Sequence, residues 1–202
     1  ELKPDLVIID ASTGPKAALD QIRTAGIKIV ETPESWTLSD IPTKVSAVAS
    51  AIGAPQQGDL LNQVFNKELT TSTIATKPRI AFLYLRGTSS VYLIGGPGSG
   101  SDSLVQAIGA TDVGAKSLPN PFNTMTAESL ATLNPDVIIV MTKGLQSVGG
   151  ISGLLKLPGV AQTQAGKNQA VIDVDDSLLL SFGPRTPALV QALADAVTAV
   201  TK

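Results

Sequence analysis

The sequence predicts an α/β protein of two similar lobes joined by one long helix. Three observations carry this: short apolar runs alternate with helix-like segments, an all-helical stretch interrupts the alternation, and one strand motif occurs twice. The motif is Leu-x-Pro-Asp followed by four apolar residues. It stands at Leu2–Ile9 (Leu-Lys-Pro-Asp-Leu-Val-Ile-Ile) and again at Leu133–Val140 (Leu-Asn-Pro-Asp-Val-Ile-Ile-Val). In each copy Pro ends what precedes it, and Asp leads into a run apolar enough to be buried on both faces of a parallel sheet.

The elements follow in order. Leu6 to Ile9 is a strand, and Pro15 to Ala25 is a helix with Pro in its first turn and Gly26 just past its end. Ile27 to Val30 closes a βαβ unit. Ser39 and Asp40 can cap a helix that runs to Ile52, where Gly53 and Pro55 break it. A second helix is expected from Gln57 to Ala75, about 28 Å long, with Leu60, Leu61, Val64, Phe65 and Leu69 as its apolar stripe. Asn62, Gln63, Asn66, Lys67 and Glu68 would then face solvent.

Beyond Lys77-Pro78 the alternation resumes. Strands are expected at Arg79–Leu85, Val91–Ile94, Val137–Met141 and Ala170–Val174, and helices at Ser101–Ile108, Thr126–Leu133 and Pro187–Thr201. The resulting division is 1–38 for the first α/β segment, 39–77 for the helical linker and 78–202 for the second α/β lobe.

Composition narrows the function. The chain has 202 residues, a net charge of -2 and no run of Lys or Arg, so it lacks the basic stripe that nucleic acid or an anionic membrane requires. With no Cys there are neither disulfides nor thiolate metal sites, and with no His the commonest general base and metal ligand are both missing. Nucleophile–base pairs of the usual kinds cannot be built, and no catalysis is expected. The chain opens without Met or a leader-like apolar segment and reads as processed or truncated.

Several candidate sites remain. The loop Gly95-Gly96-Pro97-Gly98-Ser99-Gly100 sits between a strand and a helix, as phosphate loops do. It lacks both the Lys-Ser/Thr of a Walker loop and the spacing of the dinucleotide fingerprint. A nucleotide-using enzyme is therefore the weaker alternative, and close backbone approach is the better account of the glycines. Tyr84 and Arg86 lie two apart at the end of a strand, hence on one side of it, with Gly87 next. A guanidinium beside a phenol favours phenolate, a hard oxygen ligand for ferric iron including haem iron. Packing of the ring on an Arg stem is the plainer alternative.

Tyr92, Phe122, Met141 and Phe182 fall at strand ends or in loops, where they suit a flat apolar ligand or simply fill core. Arg185 precedes the last helix and can pair with a ligand carboxylate or brace a turn. Asp173, Asp175 and Asp176 fit no EF-hand spacing and read as a solvated turn.

The run "GGPGSGSDSLVQAIGA", "TAESLATLNPDVIIV", "LPGVAQTQAGKNQAVIDVD" and "LLLSFGPRTPALVQAL" resembles the helical-backbone substrate-binding proteins of ABC importers for haem, cobalamin and ferric siderophores. The resemblance covers the whole chain, and "LLLSFGPRTP" is most similar to the haem-binding, HmuT-like branch. It implies two Rossmann-like lobes of which the first is incomplete here. It also implies an extracytoplasmic protein, periplasmic or lipid-anchored, that carries haem to a permease. Tyr84 becomes the axial iron ligand, Arg86 its hydrogen-bonded partner, and Glu128 a permease-docking carboxylate. The residue matching Glu128 in the first lobe would precede residue 1. The unpaired strand edge of an incomplete lobe implies self-association.

Overall fold

The computed structural model describes residues 2–69 and 74–202. The elements, in order, are β1 (Leu6–Ile9), α1 (Lys16–Thr24), β2 (Lys28–Glu31), α2 (Ile41–Ala51) and α3 (Pro55–Glu68). Next come β3 (Arg79–Arg86), β4 (Val91–Gly95), α4 (Ser101–Ala107), β5 (Thr111–Asp112), α5 (Val113–Ser117), β6 (Phe122–Thr124) and α6 (Ala127–Leu133). The chain continues with β7 (Val137–Met141), α7 (Thr142–Ser147), α8 (Gly150–Leu154), α9 (Gln164–Asn168), β8 (Val171–Val174), α10 (Asp176–Leu179) and α11 (Thr186–Val200). They fall into two compact units, one holding residues up to Ser35 with Ser39–Glu68, the other Trp36–Leu38 with Leu69–Lys202.

In the first unit β1 and β2 pair in parallel, Leu6 with Lys28 through Ile9 with Glu31, and α1 is the crossover. Only Ile9 of β1 is buried, and Ile8 is exposed, so this strand lacks the two-sided burial expected of it. Helices α2 and α3 pack as a pair. The face of α3 that is turned inward carries Gly58, Asn62 and Phe65, spaced four and three apart. The Asn62 amide donates to the Pro42 carbonyl at 3.0 Å and to Ser46 Oγ at 2.9 Å.

This corrects two expectations. Leu60, Leu61 and Val64 stay exposed, because Asn62 is tied to α2 and sets which stripe turns inward. The helix also stops at Glu68 instead of continuing to Ala75, which lies in a turn, and residues 70–73 fall outside the described ones. Past Leu69 the sequence Thr-Thr-Ser-Thr-Ile is β-branched or hydroxylic throughout and a poor helix former.

The second unit is built on a six-stranded mixed sheet in the order β6-β4-β3-β7-β8, with β5 pairing to β3. Strands β3, β7 and β8 are parallel, while β4 and β6 are antiparallel additions. On one face Ala81, Leu83, Leu85, Ile94, Ile138 and Val140 join Leu130, Leu133, Leu154 and Val160 in one buried cluster. Ile80, Phe82, Val137, Ile139 and Ile172 are buried on the other. β7 is buried along its whole length, as its unbroken apolar run requires.

The repeat is visible in the backbone. The second residue of each copy, Lys3 and Asn134, adopts the left-handed conformation, with φ of 40° and 36°. Both motif strands then pair in parallel with the next long strand of their unit. Two short strands, β5 and β6, and the short helices α5 and α7–α10 escape the hydrophobic periodicity, being too brief to show one.

Candidate functional site around Tyr84 and Arg86

Strand β3 is central in its sheet, and its carboxyl end is the rim at which open α/β sheets bind ligands. Tyr84 and Arg86 project there on one face. Arg86 Nε donates to Tyr84 Oη at 2.8 Å, and the guanidinium carbon lies 5.3 Å from the ring centroid. Arg86 is thus held over the edge of the ring by a charge-assisted bond as well as by cation–π attraction. Its guanidinium is raised above its ordinary pKa first by that hydrogen bond, next by the charge on Tyr84, and further by Asp176.

Cross-strand register decides which aromatics share this face. Tyr84 pairs with Leu93 on β4, and Gly95, two residues on, pairs with Phe122 of β6. Gly95 has no room for a side chain, since a Cβ would come within 2.9 Å of the Phe82 ring, and the Tyr84 and Phe122 rings meet edge to face at 5.9 Å. Met141, at the end of β7, continues the β3–β7 register beyond Leu83 and Val140 and lies on the Tyr84 face, buried.

Tyr92 pairs with Leu85 and packs instead into the buried cluster on the opposite face. Phe182 is also removed from the rim. It is only 1% exposed, and its ring seats against Gly100. Arg185 donates to the Ser177 carbonyl at 3.4 Å and braces the turn before α11. Gly87 donates its amide to Ser147 Oγ at 2.9 Å. Glu128 is exposed in the first turn of α6, where Thr126 and Ser129 form a capping box and the helix dipole favours a carboxylate.

The Gly-rich loop is closed from within. Asp102 accepts the Gly98 amide at 2.8 Å and the Gly100 amide at 3.0 Å, and the Gly96 amide donates to the Pro121 carbonyl at 2.8 Å. The donors a phosphate would take are thus spent on a carboxylate of the loop's own helix.

Four contacts that the sequence did not disclose complete the rim. Thr142 Oγ1 donates to Asp173 at 2.7 Å, the Lys143 amide donates to Asp176 at 2.9 Å, Asp175 caps α10 through Ser177, and Ser147 holds Gly87. The acidic cluster is accordingly a clamp on the start of α7. Asp175 is held below the usual carboxylate range by the Ser177 hydroxyl and amide, with Lys143 and Arg185 adding. A carboxylate following a parallel strand was the one available signal, and it does not say which helix is gripped.

Residues 1–178 match the family described as periplasmic binding protein. The chain belongs to the periplasmic binding protein family. A curated relative is the uncharacterized ABC transporter substrate-binding lipoprotein YvrC of Bacillus subtilis (strain 168), 26% identical over 97% of this chain and 62% of that protein. This chain therefore spans less than two thirds of that relative's length. Among solved structures, the periplasmic heme-binding protein RhuT of Roseiflexus sp. RS-1, in apo form, superposes with a TM-score of 0.93. It is 36% identical, over 100% of this chain and 78% of that one. Heme-binding protein HmuT matches with a TM-score of 0.88 and 36% identity, over 97% of this chain and 66% of that one. HmuT has also been solved with an arginine, a tyrosine or a histidine replaced by alanine, the arginine standing two positions beyond the tyrosine.

No helix among the described residues is long and apolar enough to cross a membrane.

Proposed function

We propose that this chain binds haem outside the cytoplasm and hands it to the permease of an ABC importer, without chemistry of its own. The observation that carries the reading is the 2.8 Å bond from Arg86 Nε to Tyr84 Oη at the carboxyl end of β3. This phenol oxygen already accepts from a cation, and a tyrosine oxygen is a known axial ligand for haem iron. Arg86 leaves the remaining lone pairs of that oxygen for the metal. Phe122, half-buried and edge-on to Tyr84, offers apolar surface to a flat macrocycle, and Met141 is buried beneath the same face.

Further support comes from the relatives. RhuT and HmuT are both named as heme-binding proteins, and HmuT has a tyrosine and an arginine with the same two-residue spacing among its altered positions. HmuT has an altered histidine as well, and this chain contains none. Tyr84 is then the iron ligand that this sequence supplies. Glu128, exposed at the start of α6, is assigned to permease docking by charge pairing with a basic partner. Self-association through the two-stranded β1–β2 sheet belongs to the same reading, since its outer edges pair with no other strand among the described residues. A single-chain mass by light scattering at high concentration excludes that part.

Titration with hemin followed by absorbance tests the main assignment. The expected result is saturable binding with a phenolate-to-iron charge-transfer band that disappears in Tyr84→Phe. An unchanged band in that variant removes Tyr84 as ligand. Binding of a ferric siderophore or corrinoid in preference to hemin replaces the ligand on the same scaffold.

A further inference from the structure

Arg86 is exposed, and beyond Tyr84 no hydrogen bond among the described residues holds its side chain. A free arginine side chain has many rotamers, and holding one of them costs up to about 2 kcal/mol. The aim of the guanidinium therefore depends on the backbone that carries it. That backbone leaves β3 at Arg86, with φ of -140° and ψ of 80°, and enters a single 3-10 turn at Gly87–Ser89.

Helix α7 lies directly against this exit. A Cβ on Gly87 would overlap the Ser147 carbonyl, and a Cβ on Gly144 would come within 2.9 Å of the Leu85 carbonyl. Only two glycines let the helix and the strand end approach this closely. One side chain ties them together. Ser147 Oγ accepts the Gly87 amide at 2.9 Å and donates to the Gly144 carbonyl at 2.7 Å, so its hydroxyl is used in both senses. The other end of α7 is gripped by Asp173 through Thr142 and by Asp176 through the Lys143 amide. The helix is thus anchored at its start to β8 and the first residue of α10, and at its end to the residue after Arg86.

We propose that Ser147 is a positioning residue for ligand binding: by fixing the Gly87 amide it sets the backbone that brings Arg86 to the Tyr84 oxygen. The inference rests on the haem reading of the Tyr84–Arg86 pair. Ser147 itself touches neither side chain of the pair through any of its hydrogen bonds, so its effect runs through Arg86.

The test uses the whole chain with hemin as probe and compares wild type, Ser147→Ala, Ser147→Thr, Arg86→Ala and the Ser147→Ala/Arg86→Ala double variant. Ser147→Ala is expected to weaken hemin about three- to tenfold and to shift the phenolate-to-iron band, the scale of one lost hydrogen bond. Ser147→Thr, which keeps the hydroxyl, restores both. In the Arg86→Ala background the same Ser147→Ala change adds less than about twofold, because the residue through which it acts is gone. Should Ser147→Ala not fold, Ser147→Cys carries the test, its weaker acceptor giving a smaller shift of the same sign. Wild-type affinity and band in a folded Ser147→Ala, or an equal loss with and without Arg86, overturns the proposal. A band that survives in Tyr84→Phe overturns the assignment of Tyr84 as ligand instead, so the two failures are separable.

Discussion

Phe182 closes against Gly100, where a Cβ would come within 2.8 Å of Cε2 of the ring. Gly100 has φ of 87°, a conformation that side chains with a Cβ rarely adopt. The same glycine donates its amide to Asp102 and stands at the start of α4. One position thus joins the Gly-rich loop, the α4 cap and the aromatic that plugs the second unit's core.

Gly100→Ala is accordingly expected to destabilise the protein by about 1–3 kcal/mol, from backbone strain together with overpacking against the ring. Urea unfolding checks this. Wild-type stability in the variant would show that the Phe182 ring moves aside freely.

Asp112 makes stability depend on pH. It is nine-tenths buried, its Oδ1 accepts the Ala115 amide at 2.8 Å, and its Oδ2 finds no hydrogen-bond partner among the described residues. Burial chiefly, and then the nearby Asp102 charge, push its pKa from 3.8 to about 6, against the pull of the Ala115 amide. A carboxyl whose folded pKa is raised is favoured while protonated, so its contribution is complete below about pH 4 and is lost as pH rises through about 6. The span corresponds to about 3 kcal/mol. Asp112→Asn removes the titration and should be more stable than wild type at pH 7.5 while matching it near pH 4. Parallel stability curves for the two proteins across that window would contradict the assignment.

Glu128 is exposed on the first turn of α6, outside the Tyr84–Arg86 pair, so exchanging its charge should separate docking from binding. Glu128→Lys is expected to leave the hemin spectrum unchanged and to lower ligand-stimulated ATPase of the cognate permease at least about tenfold, the scale of a broken interfacial charge pair. Unaltered stimulation would remove Glu128 from the interface.

The repeated Leu-x-Pro-Asp strand, the βαβ order and the main strands of the second unit were legible in the sequence. Their signals are local: Pro ends a segment, an unbroken apolar run marks a strand (buried on both faces in β7 but not in β1), and residues two apart share a side. For the same reason the joint projection of Tyr84 and Arg86 followed from spacing alone. The inward stripe of α3 did not, because Asn62, a polar residue, is the one that α2 satisfies with two acceptors.

Which aromatics accompany Tyr84 was a question of register. The hairpin from β3 to β4 sets Leu85 opposite Tyr92, sending that ring to the other face, and brings Gly95 between Tyr84 and Phe122. A one-residue slip would reverse both outcomes, and hydrophobicity alone scores the two registers alike. Asp102 closing the Gly-rich loop and Ser147 holding Gly87 also lay beyond the sequence. A side-chain hydrogen bond to a backbone amide depends on where the chain returns in space. The residues of the rim and their order were thus determined by the sequence itself. Their pairing across strands, and which of them are spent on holding one another, were decided only when the sheet and its helices packed.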